Sequence, residues 1–190
     1  MVTRKLLRST FDAGAEYETY VQTGNPGQID AWRSVEAQIA LTDAQRSLIE
    51  GFVREVNVVV SSGTWCGDCA QQGPVLAAIA AANPGKVRIR FVDRDEHSDL
   101  SERVKISEGL RVPTAIFLNE DFDFIDLIGD GTLSRYRAKA ARALGAACPL
   151  PGAPIDADEL ASTTQDWVDI FERVHLLNRL SPKLRQRHGD

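Results

Sequence analysis

Two cysteines three residues apart lie in the segment Thr64-Trp65-Cys66-Gly67-Asp68-Cys69. When the first cysteine of such a pair begins a helix, the pair can close a short disulfide and the helix N-terminus stabilises a thiolate on the first sulfur. The spacing therefore indicates thiol–disulfide exchange. A Cys-x-x-Cys pair can also be half of a zinc site, so the pair by itself leaves both chemistries open.

The zinc alternative needs two further ligands. The remaining candidates are Cys148, His97, His175 and His188, none of them paired at the spacing of metal ligands. We therefore expect no metal at the cysteine pair. Cys148 is interpreted as an ordinary thiol near a linker, although an odd cysteine could also form a regulatory or intermolecular bridge.

The segments around the cysteines predict a strand, a helix and a second strand. Val58-Val59-Val60 is an apolar run typical of a buried strand, and an alanine-rich helix is expected from about Cys66 to Ala82. A second strand is predicted at residues 87–92. This order at this spacing indicates a parallel strand pair with a right-handed crossover.

The next segments predict a helix over residues 100–108, with Ser98 as its cap, and then a β-hairpin. The hairpin strands are residues 114–118 and 122–128, and the second alternates apolar and acidic residues as an edge strand with one solvated face does. After a glycine-rich turn, a helix is predicted over residues 133–147.

The chain divides into four parts by pattern. Residues 1–56 are predicted to be a helical N-terminal extension, in which Thr42 caps a helix. The domain proper spans residues 57–147. Residues 148–156 are predicted to be a linker because their prolines and glycine cannot hold regular helix. Residues 157–190 predict a C-terminal amphipathic helix that packs on the domain.

Composition limits the partners that the protein is expected to have. Of its 190 residues, 43% are apolar and 26% are charged, and the net charge of −5 gives no reason to expect nucleic acid. The first thirty residues lack the apolar core of a secretory signal, and no segment approaches the length that spans a bilayer. We expect a cytoplasmic protein with neither a nucleic-acid nor a membrane partner, where reducing conditions suit a cycling dithiol.

Two motifs in this order of elements resemble the thioredoxin superfamily, in particular bacterial thioredoxin-like proteins with Gly-Asp between the cysteines. One motif is the Trp-Cys-Gly-Asp-Cys segment, and the other is Val112-Pro113-Thr114, whose proline follows Cys69 by 44 residues (113 − 69). The match covers roughly residues 57–144. It implies an α/β thioredoxin-like three-layer sandwich, a mixed central sheet with helices on both faces, flanked by helical extensions.

The resemblance implies roles for the two cysteines. Cys66 would be the nucleophile at the helix N-cap, with an exposed sulfur. Cys69, one turn deeper and shielded, would resolve the mixed disulfide by attacking Cys66.

The resemblance also implies a substrate groove. The Val112–Pro113 bond would be cis and would face the disulfide, blocking metal binding and presenting an edge for an extended substrate, although a proline is also tolerated at a strand start. Trp65 would cover the rim of the site, unless it serves only for packing. Gly131 would be the small residue of the facing loop, unless it is a simple turn glycine.

Gly67 and Asp68, between the cysteines, are expected to tune the redox equilibrium. A carboxylate at Asp68 opposes thiolate formation on Cys66 by like-charge repulsion, and a less stable thiolate favours the disulfide. We therefore expect a more reducing couple than a neutral or basic residue would give. The alternative is a first-turn acid that only favours the helix dipole.

The sequence differs from the family in the strand before the cysteines. Thioredoxins carry a buried acid there that takes a proton from the resolving cysteine, whereas residues 58–62 read Val-Val-Val-Ser-Ser. Deprotonation of Cys69 would have to rely on water, a serine, Asp68 or another acid such as Asp95.

These observations predict an enzyme, a thiol–disulfide oxidoreductase that reduces protein or small-molecule disulfides without a bound cofactor. Its electrons would come from an external reductase or a thiol pool. The alternative is a protein-binding or redox-sensing module with little general reductase activity. The intact cysteines favour the enzyme, while the missing acid and the helical extensions favour the module.

Overall fold

The computed structural model describes residues 2–144 and 158–190, so the predicted linker and Cys148 lie outside the described residues. Within these ranges the chain forms nine helices and four strands. The helices are α1 (Arg4–Ala13), α2 (Tyr17–Val21), α3 (Pro26–Glu36), α4 (Asp43–Glu50), α5 (Gly67–Ala82), α6 (Ser98–Ser101), α7 (Leu133–Leu144), α8 (Glu159–Leu180) and α9 (Pro182–His188). The strands are β1 (Val56–Ser62), β2 (Val87–Asp93), β3 (Thr114–Leu118) and β4 (Phe124–Gly129).

The four strands form one mixed sheet in the order β2-β1-β3-β4. Strand β1 pairs with β2 in parallel and with β3 in antiparallel orientation, and β3 pairs with β4 as an antiparallel hairpin. The predicted parallel pair and the predicted hairpin are both present. Every residue of β1 is buried, whereas β4 lies at the edge of the sheet, as predicted, and is partly buried along its length without the expected alternation between faces.

Helices cover both faces of the sheet, which confirms the predicted three-layer architecture. Along β1, Val58 and Val60 belong to a large core under α2, α3, α4, α5 and α8, while Val59 belongs to a smaller core under α1 and α6. This alternation follows from the two-residue period of a strand. Large, fully buried side chains of the first core are Trp32, Leu76, Phe91, Phe117, Trp167 and Phe171.

The N-terminal helices pack directly on this sheet. The backbone of Ala15 pairs with Phe91 of β2 through two hydrogen bonds of 2.9 and 2.8 Å, so this segment covers the outer edge of β2. The predicted cap of α4 is present, because the Thr42 hydroxyl accepts the N–H of Gln45 and the Gln45 side chain accepts the N–H of Thr42.

The prediction of a helix over residues 100–108 is wrong. Helix α6 is a single turn, Ser98–Ser101, and its N-cap is His97 rather than Ser98. The chain then turns through Ser107 and Glu108, which have φ angles of 49° and 60°. Left-handed backbone of this kind cannot continue a right-handed helix.

Two further element boundaries differ from the prediction. The C-terminal helical segment is two helices, because the chain breaks at Ser181 and α9 starts at Pro182, which has no N–H to donate to the preceding turn. Strand β4 starts at Phe124 rather than Phe122, whose φ of 62° places it in the hairpin turn. No helix in the described parts of the chain combines the length and apolar character needed to cross a membrane.

Candidate active site

The turn that carries the first cysteine is fixed by two tryptophans. The Trp32 indole N–H of α3 donates a 3.0 Å hydrogen bond to the carbonyl oxygen of Thr64. A Cβ atom on Gly63 would lie 2.6 Å from the ring of Trp65, so only glycine lets that ring pack on the turn. The N–H of Cys66 donates to the Gly63 carbonyl at 3.0 Å, and helix α5 begins at the next residue.

Cys66 is the N-cap of α5 and is partly exposed, as predicted for a nucleophile. Its Sγ lies 3.7 Å from the carbonyl oxygen of Val112. A hydrogen bond from the Cys69 thiol, aided by the N–H groups of Cys69 and Asp68 and opposed by burial, lowers the pKa of Cys66 to about 6. The sulfur is therefore largely a thiolate at neutral pH.

Cys69 lies one turn further along α5 and is completely buried. Its burial, together with the hydrogen bond to Cys66 and the charge there, raises the pKa of the Cys69 thiol well above its usual value. Cys69 therefore stays protonated when Cys66 is ionised. The fold brings together an accessible thiolate and a shielded thiol, and both sulfurs are free.

The second motif lies beside the first at the start of β3. The Val112–Pro113 peptide bond is cis, and both residues are buried. The hydroxyl of Thr114 donates to the Arg111 carbonyl at 2.8 Å and closes the turn. The Val112 carbonyl faces Cys66, which places a backbone acceptor next to the nucleophile.

Trp65 exposes 50% of its surface next to Cys66. The guanidinium of Arg94 lies over its ring, 4.7 Å from the centroid. Arg94 itself is held by the Leu110 carbonyl at 3.1 Å and by Asp95 at 2.9 Å. The sequence analysis did not identify Arg94. Its guanidinium and the ring of Trp65 place a cation and an aromatic surface on the same rim of the site.

Asp68 is held by two cations from α7. Its Oδ1 accepts from Arg135 Nη2 at 2.8 Å, and its Oδ2 accepts from Lys139 Nζ at 2.7 Å. The predicted repulsion has the expected sign, because the charge of Asp68 raises the pKa of Cys66, but it is a minor influence there. The ion pairs with Arg135 and Lys139 offset the negative charge of Asp68, and the sequence analysis did not include these two partners.

Arg135 extends this ion-pair network to α8. It also pairs with Glu159, and Glu159 accepts from Arg142 at 2.6 Å. The Arg135 side chain is 9% exposed, so its charge is well shielded from solvent. These residues are 67 or more positions from Asp68, and no local pattern in the sequence could have identified them.

A second set of bonds ties α5 to the turn before α7. Buried Gln72 donates through Nε2 to the carbonyl of Asp130 at 3.1 Å and accepts from the Trp167 indole at 3.2 Å. Gly131 follows in that turn, where a Cβ atom would lie 3.2 Å from Cγ of Arg135. Gly131 is thus packed against α7, and its role toward substrate stays a prediction.

The proton acceptors suggested for Cys69 occupy different environments. Asp95 is exposed and pairs with Arg94, and Asp68 is held by its two cations. Ser62 is completely buried at the end of β1, and its hydroxyl acts on the pKa of Cys69. Of these groups, Ser62 is the one that lies against the buried thiol.

Two of the histidines considered as metal ligands have other partners. The Nε2 atom of His175 accepts the N–H of Val53 at 3.0 Å, and its ring stacks on Phe52. His188 lies 2.9 Å from a carboxylate oxygen of Glu120. Within residues 2–144 and 158–190, no three His, Cys, Asp or Glu side chains are grouped so that they could hold a metal ion.

Comparison with known sequences points to one family. A family model described as thioredoxin matches residues 14–130, more than half of the chain. The mitochondrial thioredoxin of Bos taurus is 37% identical over 73 residues, which are 38% of this chain and 42% of that protein. The thioredoxin of Staphylococcus saprophyticus is 32% identical over 65 residues, which are 34% of this chain and 60% of that protein. The chain therefore spans less than two thirds of either relative.

Two solved structures share the fold over a longer range. A protein of unknown function from Pseudomonas aeruginosa superposes with a TM-score of 0.69 at 15% identity, over 87% of this chain and 93% of that one. An HIV epitope-scaffold gives a TM-score of 0.66 at 16% identity, over 87% of this chain and 97% of that one. At this coverage the shared fold includes much of the helical regions that flank the sheet.

Proposed function

The chain belongs to the thioredoxin family, and from that premise we propose that it is a thiol–disulfide oxidoreductase that works through the Cys66/Cys69 dithiol. Family membership supports a redox function of thioredoxin type in general. The observation that supports the dithiol mechanism is the asymmetry of the pair. Cys66 is partly exposed with a pKa of about 6, and Cys69 is buried with a raised pKa.

The first step would be attack by the Cys66 thiolate on one sulfur of a substrate disulfide. The substrate S–S bond breaks, a mixed disulfide forms at Cys66, and the other substrate sulfur leaves as a thiolate. The low pKa of Cys66 keeps the attacking form populated at neutral pH.

The second step would be attack by Cys69 on the Cys66 sulfur. The bond between Cys66 and the substrate breaks, the substrate leaves as its second thiolate, and a Cys66–Cys69 disulfide remains. The two thiols supply both electrons, so the chemistry needs no bound cofactor. An external reductase or a thiol pool would then return two electrons to the protein.

The surroundings of Cys66 suit a disulfide in an extended segment. The Val112 carbonyl next to the sulfur is available to pair with a substrate backbone N–H, and the exposed face of Trp65 offers apolar contact. We propose that protein or small-molecule disulfides bind across these two residues.

Insulin reduction tests the proposal. Reduced wild-type protein, supplied with a thiol reductant, is expected to precipitate the insulin B chain faster than the reductant alone, and Cys66→Ser is expected to give the background rate. If the wild-type protein reduces neither insulin nor a mixed glutathione disulfide, the enzyme proposal is wrong. The chain would then be better described as a binding or redox-sensing module.

A further inference from the structure

The C-terminal helix α8 bonds directly to the segment that leads from β4 into α7, residues 130–135. The carboxylate of Asp166 accepts the N–H of Ser134 at 2.7 Å, and Glu159 pairs with Arg135. Glu159 and Asp166 are seven residues apart, which places them on one face of α8. Ser134 lies in the first turn of α7, where a helix has no internal acceptor for its N–H groups. Asp166 therefore supplies an acceptor that the start of α7 needs.

A third contact reaches the same segment through α5. The indole N–H of Trp167 donates to Oε1 of Gln72 at 3.2 Å, and Nε2 of Gln72 donates to the Asp130 carbonyl at 3.1 Å. The Trp167 and Gln72 side chains are both buried. Because a buried polar group left without a partner destabilises the structure, these two bonds hold α8, α5 and Asp130 in a fixed arrangement.

Residues 130–135 in turn bond to both motifs of the site. On one side, Arg135 pairs with Asp68 between the cysteines. On the other side, the Asp130 carboxylate accepts from Arg111 at 3.3 Å, and Arg111 directly precedes the residue whose carbonyl faces the nucleophile. The segment thus connects the first turn of α5 with the turn before β3, which are the two sides of the proposed substrate groove.

Helix α8 is not part of the family pattern. The family model matches residues 14–130, so α8 and residues 131–135 lie outside the matched part of the chain. Family membership therefore gives no role to the C-terminal helix, and its contacts with the site come from the tertiary structure alone.

We propose that α8 positions residues 130–135 as a wall of the substrate groove and thereby selects for disulfides carried by an extended polypeptide. The inference rests on the proposed dithiol function and concerns substrate selection by the same site. An extended chain must place its disulfide at Cys66 and its backbone at the Val112 carbonyl together, so its binding depends on the spacing between the two. A small disulfide needs access only to the sulfur. Asp166 and Trp167 act through this segment and are positioning residues.

Two disulfides of different size test this selection. The first is an extended peptide joined by one disulfide to a fluorescence quencher, and the second is the small coloured disulfide dithiobis(nitrobenzoate). With reduced protein in excess, the rate against protein concentration gives a half-saturating concentration and a maximal rate for the peptide. The reactions are run at about pH 8, where Cys66 with its pKa of about 6 is ionised, so that small changes in this pKa leave the amount of thiolate unchanged.

Asp166→Ala removes the acceptor at Ser134. It is expected to raise the half-saturating concentration for the peptide by roughly threefold to tenfold, the effect of about one hydrogen bond. The maximal rate and the release of thiolate from the small disulfide should stay within about twofold of wild type, because both thiols are unchanged. Trp167→Phe keeps an aromatic ring but cannot donate to Gln72, and it should act in the same direction.

Two further substitutions on α8 serve as controls. Asp166→Asn keeps a side-chain oxygen that can accept the Ser134 N–H and should restore the wild-type half-saturating concentration. Asp169→Ala removes an exposed carboxylate that accepts from Gln165, and it should leave both reactions at wild-type rates. Thermal unfolding checks that each variant is folded at the assay temperature. Asp166 is only partly buried, so its two substitutions decide the test if Trp167→Phe does not fold.

Each other outcome overturns the positioning role or its premise. A wild-type half-saturating concentration in Asp166→Ala, an equal slowing of the peptide and the small disulfide, or no rescue by Asp166→Asn would overturn the positioning role and leave the dithiol function intact. An effect of Asp169→Ala as large as that of Asp166→Ala would do the same. If the wild-type protein released no thiolate from the small disulfide, the proposed dithiol function would fail, and the positioning role with it.

Discussion

Cys66 and Cys69 are the same residue type on the same helix, one turn apart, yet they behave in opposite ways. Cys66 is partly exposed and its pKa is lowered to about 6, whereas Cys69 is buried and its pKa is raised. Cys66 accepts a hydrogen bond from the Cys69 thiol, aided by the N–H groups of Cys69 and Asp68, whereas Cys69 is cut off from solvent by burial. The order of attack and resolution is thus set by where each sulfur lies.

The surroundings of the two sulfurs differ in kind as well. On the outer side, Asp68 is held by Arg135 and Lys139, so charges surround the first turn of α5. On the inner side, Cys69 is completely buried in the larger core, and the Ser62 hydroxyl acts on its pKa. Charged groups therefore lie near the first thiol, and burial dominates the environment of the second.

The test with the largest expected effect on this contrast removes one of the two thiols. Cys69→Ser should still attack disulfides but should be unable to resolve, because no second sulfur is left within reach of Cys66. A mixed disulfide with substrate is expected to accumulate to about one equivalent, detectable as added mass that dithiothreitol removes. Cys66→Ser is the matched control and should trap nothing. Equal trapping by both variants would show that the sulfurs are interchangeable.

The second test follows the ionisation of each thiol. Alkylation of wild-type Cys66 by iodoacetamide should reach half its maximal rate near pH 6, because the thiolate reacts and protonation removes it. Below that pH the rate should fall about tenfold per pH unit. In Cys66→Ser, native Cys69 should react only in strongly alkaline solution. A common pH midpoint for both thiols would contradict the difference in pKa between Cys66 and Cys69.

A third test concerns the packing that holds the inner side. A Cβ atom on Gly73 would lie 2.2 Å from the ring of Trp32, whose indole bonds to Thr64 in the turn before Cys66. Gly73→Ala should therefore lower the free energy of unfolding by ~1–3 kcal/mol, as overpacking in a core does. Urea unfolding measures this change.

Gly67→Ala is the control for that packing test. Gly67 lies at the start of the same helix, and a Cβ atom there would have no neighbour within 4 Å. Because alanine favours helix over glycine, this variant should be as stable as wild type or more stable by ~0.5–1 kcal/mol. Equal losses in both variants would contradict a packing cause.

The smallest expected effect concerns the charges on the outer side. Lys139→Met leaves the carboxylate of Asp68 less compensated and should raise the pKa of Cys66 by about half a pH unit or less, because partly exposed charges are screened. Asp68→Asn should lower this pKa and make the couple less reducing, and adding Lys139→Met should cancel part of that change. Equilibration with glutathione measures the potentials. A potential in Asp68→Asn equal to or below that of wild type would contradict the role of Asp68.

Local sequence predicted the features that depend on near neighbours in the chain. Each such feature depends on only a few consecutive residues, and the structure contains it. Examples are the Cys-x-x-Cys pair at the start of α5, the buried run in β1 and the cap at Thr42. The prediction failed over residues 100–108, where α6 ends at Ser101 and the backbone at Ser107 and Glu108 is left-handed.

The sequence by itself determined the pair of cysteines, the strand and helix that carry them and the family to which the chain belongs. Only the tertiary structure decided which groups surround each sulfur. Arg135 and Lys139 reach Asp68 from α7, and Trp32 of α3 bonds to Thr64 in the turn before Cys66. These contacts join residues far apart in the chain, and the energy of a charge or a hydroxyl depends on burial and distance in space, which no local pattern records.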